Sequence, residues 1–289
     1  MQILVNGLVS GATIALLALA FSLVHLPTRI FHIALGAVYA LCPFVAWSFW
    51  KSELPGWIGI SVAVVAGVIL SVLCERFNHA RLERSRASPG LHLISSLGVY
   101  IAVVETISIA WGSETKVLRQ GIDTAVSVGG IMLTKAQILC AVVGVLLISG
   151  ILFWLWFSTL GLRLRALADN PTQLALFGYN TPRLRLLAFA VAGFLAASAS
   201  LLVSYDVGFD PRGGLQALLL AVVAVIVGGR NTWMGPVVAG FLVGTLRAQV
   251  SWHLSARWQD AATYLLLAVI LLFRPQGLFG KAMRLEASE

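Results

Sequence analysis

The sequence predicts an all-α, polytopic integral membrane protein with about eight or nine transmembrane helices, one of them short or re-entrant. Three observations lead there. Hydrophobic residues make up 59% of the 289 positions and charged residues only 11%, whereas a soluble domain carries about 25% charged residues. Mean hydropathy is +0.91. Nine apolar stretches recur along the chain, most of them near the roughly 20 residues that a crossing requires. The formal charge of +8 does not mark a nucleic-acid binder, because the basic residues fall in short segments between apolar stretches. No basic patch interleaved with aromatics is present. No polar stretch is long enough for a soluble domain, so residues 1–289 are expected to form one transmembrane domain.

The first span is expected near 3–25. Ala18-Leu19-Ala20 looks like a signal-peptidase site, but Met1-Gln2 supplies no basic leader, so the segment reads as a retained helix. Gly7 and Gly11 form a G-x-x-x-G that lets helices approach closely. Asn6, Ser10 and Thr13 share one face, and two readings stand for them. They line a polar pathway, or the hydroxyls satisfy the helix's own backbone while Asn6 sits at the interface. The second span, near 31–50, opens on His32, expected to be a solvated interfacial histidine, and contains Cys42-Pro43, a kink signal. The third runs near 57–74.

The fourth span, near 91–111, holds Glu105 about two thirds of the way along, counting 1.5 Å per residue. An intramembrane carboxylate is costly and points to function, so Glu105 is a candidate for the substrate path. Pairing with a neighbouring span is a second use for it, and a structural hydrogen bond near the outer interface is the competing reading. The loop 112–134 alternates apolar and polar residues around Gly129-Gly130, a hairpin signal. After a fifth span near 136–157 comes the polar island Gly161–Asn180. The sixth span, near 186–205, contains the small-residue run AGFLAASAS. Asp206 and Asp210 flank the turn after it, which runs into Pro211 and Gly213-Gly214. The seventh, 214–228, is short for a crossing. The eighth, 233–250, carries the second G-x-x-x-G, Gly240 and Gly244, and the ninth spans 260–273.

The second half of the island reads as one short helix. Asn170 is a good N-cap, Pro171 suits the first helical position, Gln173 sits where a capping box wants it, and Gly178 is a left-handed stop. Leu174 and Phe177 fall one turn apart on the same face. Two turns cannot recover their nucleation cost in water, so something must pack against them. That partner is either the chain's own membrane ends or a separate subunit.

Arginine and lysine give the orientation. Arg29, Arg76, Arg81, Arg84, Arg86, Arg163, Arg165, Arg183, Arg185, Arg230, Arg274, Lys281 and Arg284 fall on one side. The smaller opposite set is Lys51, Lys116, Arg119, Lys135, Arg212, Arg247 and Arg257. The positive-inside rule places the larger set in the cytoplasm, with the N-terminus outside, the C-terminus inside, loop 158–185 cytoplasmic and loop 112–134 extracytoplasmic.

Chemistry-bearing motifs are missing. There is no G-x-x-x-x-G-K-[ST], no H-E-x-x-H and no G-x-S-x-G. Cys42, Cys74 and Cys140 lie in or at the ends of apolar spans with no metal-ligand spacing, and read as small buried hydrophobes. The chain shows no catalytic set. It should bind no metal or cofactor, and any energy must come from elsewhere.

The ordered motifs resemble the permease subunits of branched-chain amino acid ABC importers, the LivH-like kind, over nearly the whole chain. They are Asn6-Gly7-Leu8, Thr28-Arg29-Ile30-Phe31, Leu93–Gly98, Gly161-Leu162-Arg163 through Ala166, Asp169-Asn170-Pro171, Gly178-Tyr179-Asn180, Pro211-x-Gly213, Gly228-Gly229, Gly235 and Arg274–Gly280. The resemblance implies an inner-membrane importer with a second, identical or homologous permease subunit, two cytoplasmic ATPase subunits that hold ATP and Mg, and an extracytoplasmic solute-binding protein. It implies that Gly161, Arg163, Arg165, Asp169, Asn170, Pro171, Leu174, Phe177 and Gly178 belong to the ATPase-coupling region. Many members carry Asn-Phe-Ala-His/Gln-Gly-Glu where this chain has His32-Ile33-Ala34-Leu35-Gly36-Ala37, and Cys42-Pro43 replaces a usual Gly-Ala. Related permeases serve urea, amides and other small metabolites, so the solute expected is a branched-chain or other small amino acid or such a metabolite. An ion-coupled secondary transporter is the alternative, with Glu105 as its thin support.

Overall fold

The computed structural model describes residues 1–52, 55–119, 124–128, 130–229 and 232–280. Helix α1 (Gln2–Thr28) runs through the middle of a helical bundle, with 78% of its most apolar window buried. Packed on it are α6 (Lys135–Phe157), α9 (Thr181–Asp206), α10 (Gly213–Gly228) and α11 (Met234–His253). Helix α2 (Leu35–Lys51) fits against α9 and α10, and joins α3 (Gly56–Leu73) and α5 (Pro89–Trp111) to the bundle. Helix α12 (Gln259–Phe273) lies outermost, with 6% of its window buried. Among the described residues six helical stretches are long and apolar enough to cross a membrane: Gln2–Thr28, Gly56–Arg84, Pro89–Trp111, Lys135–Phe157, Thr181–Asp206 and Ala256–Phe273. Helix α10 is apolar but shorter. The protein is an all-α, multi-pass membrane protein.

A central helix surrounded this closely needs a thin profile. The two G-x-x-x-G motifs supply it by interlocking α1 with α11. A methyl placed on Gly244 would stand 2.3 Å from Gly11 Cα, one on Gly240 2.5 Å from Ala15 Cα, one on Gly7 2.7 Å from Thr245 Cα, and one on Gly11 2.9 Å from Phe241 Cα. The contacts ascend one helix as they descend the other, as an antiparallel seam of small residues requires. The small residues of α9 play a similar part, with Gly193 set against Gly67 and Ser71 of α3.

Helix α1 ends one residue before Arg29, which turns into the left-handed region (φ 57°). The second helix therefore begins at Leu35 rather than at 31, and it runs unbroken past Pro43. Helix α3 continues through a π-helical stretch, Cys74–His79, into α4 (Ala80–Arg84). The expected hairpin is present as β1 (Ala125–Val128) and β2 (Ile131–Thr134), antiparallel, with Ala125 opposite Thr134. Gly130 turns at φ +81°, while Gly129 lies outside the described residues. Thr134 and Gln137 close a full capping box at the start of α6, and Gln2 clips the hairpin to α1 through the Met132 backbone at 2.7 and 2.8 Å.

Helices α7 (Thr159–Asp169) and α8 (Pro171–Leu176) lie at the opposite end from the hairpin, between α6 and α9. The motif Arg274–Gly280 folds back on the α10–α11 corner there. Leu278 and Phe279 donate their N–H groups to Val227 and Gly228 at 2.8 and 3.0 Å. Gly277 and Gly229, both at positive φ, meet backbone to backbone. Arg230, Lys281 and Arg284, three of the arginine-rich set, lie outside the described residues.

Candidate functional site

At the hairpin end α1, α2, α9, α10 and α11 enclose a cavity of about 390 Å³. Ser10 and Thr13 of α1 line it, with Tyr39, Ser204, Gln216 and Arg247 on the other walls. Both α1 hydroxyls donate to their own helix, Ser10 to Asn6 O at 3.1 Å and Thr13 to Ser10 O at 2.8 Å. They soften the wall while spending their protons on backbone. Asn6 lies in two smaller neighbouring clefts, one shared with Arg247 and Gln259, the other with Gln137 and Asp206. Glu105 is elsewhere. It sits on the exposed outer face of α5, in none of these cavity walls. Its depth along the span was readable from sequence, but in a helix apolar on every side no stripe told which way it pointed.

Sequence reasoning missed the charged part of this cavity. Arg247 of α11 donates to Asp260 Oδ1 at 2.6 Å and Gln259 Oε1 at 3.0 Å, and Gln216 of α10 reaches Asp260 Oδ2 at 3.2 Å. One carboxylate thus ties three helices at the cavity rim. Asp210, read as an acid flanking a turn, accepts from Arg212 N and Gly213 N at 2.9 Å each. It holds the turn that leads into α10 and lines the cavity as well. An arginine and an aspartate inside or at the edge of apolar spans were the available signal.

At the other end, Gly161 is buried where α6 turns into α7, and a methyl there would stand 2.3 Å from Leu155 O. Ser158 caps α7 by accepting from Gly161 N at 2.9 Å. Leu164 and Leu167 turn inward, Arg163 is exposed and Arg165 is half-buried. Arg163 lies over the Tyr179 ring, 5.1 Å from its centroid, and Arg165 over Trp156 at 4.9 Å, also donating to Trp156 O. Asp169 is exposed. Asn170 Oδ1 accepts from Gln173 N at 3.0 Å, Pro171 opens α8, and Gly178 turns at φ +82°. The reciprocal half of the capping box does not form, since Asn170 N donates to Ala166 O.

Leu174 and Phe177 do not share a buried face. Leu174 is 6% exposed and plugs into the bundle, whereas Leu176 at 83% and Phe177 at 80% point away from it. Phe177 N still donates to Gln173 O at 3.1 Å, so the winding reaches Phe177. It is the narrow contact of so short a helix with the bundle that covers Leu174 and leaves Phe177 out. Self-packing and an outward-facing surface therefore coexist in this helix. One leucine anchors it to its own chain, and a two-residue apolar tip is left uncovered.

Directly behind this tip, the first turns of α9 meet the π-helical stretch. Arg185 Nε donates to Glu75 Oε1 at 2.8 Å and its Nη1 to Glu83 Oε2 at 2.8 Å. Glu75 and His79 both come from the π turn, a distortion often found at functional sites. His32 is fully buried here, edge-on to Phe189, not solvated. Its Nδ1 lies 3.0 Å from His79 Nε2, and His79 Nδ1 lies 3.2 Å from His92 Nδ1. Among the described residues no group of three His, Cys, Asp or Glu has metal-holding geometry.

Residues 3–273 match the family described as branched-chain amino acid transport system / permease component. The high-affinity branched-chain amino acid transport system permease protein BraD of Pseudomonas aeruginosa is 26% identical, over 97% of this chain and 96% of its own length. LivH of Escherichia coli, with the same descriptive title, is 25% identical over the same shares. Among solved structures, PsaBC from Streptococcus pneumoniae in complex with Fab aligns with a TM-score of 0.57 and 12% identity, over 96% of this chain and 93% of the matched one, a likeness of fold alone. With the family match spanning nearly its whole length, this chain belongs to the branched-chain amino acid transport system permease family.

Proposed function

We propose that this chain is the membrane permease subunit of an ATP-driven importer and that it moves a branched-chain or other small amino acid inward by alternating access. The family membership supports the transporter class, and the solute is the one named in the BraD and LivH titles. The arginine-rich end is then cytoplasmic. The observation that carries the coupling is the α8 tip, with its pre-capped helix, a single inward anchor at Leu174 and apolar Leu176 and Phe177 facing out. Such a tip suits a groove on a partner protein. A clamping ATPase pair would push α8 as a rigid body, and α8 leads into α9, a wall of the cavity at the far end. For ATP to shift the equilibrium, the closed ATPase pair must bind the tip differently from the open pair.

Two ATPase subunits, a second permease chain and an extracytoplasmic binding protein complete this reading. The cavity of Ser10, Thr13, Tyr39, Gln216 and Arg247 is the candidate solute path, and ATP with Mg would sit on the partners. Purified chain and partners, reconstituted in vesicles, should take up radiolabelled leucine only with ATP. Uptake that persists without ATP, or without the ATPases, refutes the reading.

A further inference from the structure

The arginine-rich end also holds a cleft of about 400 Å³ between the end of α1, the α4–α5 turn and the first turn of α5. Thr28, Arg29, Glu83, Arg86, Pro89 and His92 form its walls. We propose that this cleft binds a phosphate-bearing anion, with the headgroup of an anionic phospholipid as its occupant.

Charge is the first reason. Among the described residues neither the Arg29 nor the Arg86 guanidinium has a hydrogen bond or ion pair. Glu83, the cleft's one acid, is held by Arg185 at 2.8 Å. Arg29 and Arg86 thus line the cleft against one acid, Glu83, whose partner Arg185 is shared with Glu75, and the planar fork of arginine matches phosphate oxygens.

Backbone conformation is the second. Arg29 (φ 57°) and Arg86 (φ 54°) are the two non-glycine residues at positive φ among the described residues, and both line this cleft. That conformation costs an L residue about 1–2 kcal/mol, which glycine would avoid. Strain held at two points of one cleft leads to a hypothesis of use for the side chains.

The third reason is the histidine chain. With neutral rings, two proton arrangements satisfy both His–His contacts. In one, His79 Nε2–H donates to His32 and His32 must carry its own proton on Nε2. That atom is buried and has no partner among the described residues. In the other, His32 Nδ1–H donates to His79, His79 Nδ1–H donates to His92, and His92 carries its proton on Nε2. Orphaned buried N–H groups are rarer than under-satisfied acceptors, so the second arrangement is favoured. It leaves His92, a cleft wall, with a donor on the one nitrogen not taken by His79. Two guanidinium forks and an imidazole N–H then converge on the cleft. Apolar helices α1 and α5 end at its rim, so a headgroup can enter while its chains stay beside them.

The test uses the full chain in detergent, read by native mass spectrometry and thermal unfolding, with phosphatidylglycerol, phosphatidylcholine and inorganic phosphate as separate probes. Wild type should retain phosphatidylglycerol over phosphatidylcholine. Arg29→Gly/Arg86→Gly, which suits the backbone and so guards against misfolding, should weaken that binding about tenfold or more, as expected for lost charge-assisted contacts. Arg81→Gln/Arg84→Gln, on the same segment outside the cleft walls, should bind as wild type. Stabilisation by inorganic phosphate that the glycine pair abolishes supports the anion site and makes free phosphate the occupant. A glycine pair that binds phosphatidylglycerol like wild type, or a wild type indifferent to both anions, overturns the proposal. Neither result depends on ATP or transport.

Discussion

Gly244→Ala should be among the most damaging single-methyl changes in the chain. Its new carbon would stand 2.3 Å from Gly11 Cα, 2.4 Å from Gly11 N and 2.6 Å from Gly7 O, all backbone atoms that no rotamer change can move. Ordinary contact between such atoms is about 3.5–4.0 Å, so α1 and α11 must part by about 1 Å or more along the seam. Overpacking of this kind costs about 1–3 kcal/mol, and the separation also loosens Gly240 against Ala15. At about 2–4 °C per kcal/mol for a chain of this size class, the melting temperature should fall by about 2–12 °C. Gly98→Ala in α5 is the control, because a methyl there meets nothing within 4 Å and gains up to about 1 kcal/mol of helix propensity. Thermal unfolding of both variants in one detergent decides the matter. If the two melt together, the close seam between α1 and α11 is not what holds the centre of the bundle.

The α8 tip gives a contrasting pair. Leu176→Asp with Phe177→Asp should leave the melting temperature unchanged and abolish ATPase copurification, since both side chains are exposed; retained copurification would remove the tip from the interface. Leu174→Ala should instead lower stability by about 2–3 kcal/mol, because it empties a buried leucine site, as a melting curve will show. Glu75→Ala strands Arg185 beside Glu83 alone and should cost about 3 kcal/mol. Adding Arg185→Leu should restore most of the loss in the same assay, as removal of both partners of a buried pair does.

Much of this architecture was readable because its signals are local. A run of apolar residues bounded by arginine marks a helix whatever it packs against, Asn170 marks a start by its side-chain oxygen, and Gly178 marks a stop by its positive φ. What stayed hidden was direction. Along α1 and α5 the apolar residues run right round the helix, so no apolar stripe separated a core face from a lipid face, and nothing said that α1 is central or that Glu105 looks outward. Pairings across long separations were hidden for the same reason. His32, His79 and His92 meet only because α3, α5 and the link before α2 converge, and Arg247 finds Asp260 only once α11 and α12 are side by side. The motif Arg274–Gly280 was readable as a match but not as a structure. Its glycines prove to be points where the chain touches the α10–α11 corner backbone to backbone.

The π turn at Cys74–His79 sets the rotational phase of α4 relative to α3. A π turn holds an extra residue relative to an α turn, and one residue of α-helix is about 100° of rotation. Closing Cys74–His79 into plain α-helix with all six residues kept would swing α4 by about that angle. Glu83 would then leave Arg185, and the α4–α5 turn would present Arg86 to a different side. The Arg185–Glu83 ion pair and the arginine cleft are therefore indexed by the same turn of helix, and losing its wider winding resets both at once.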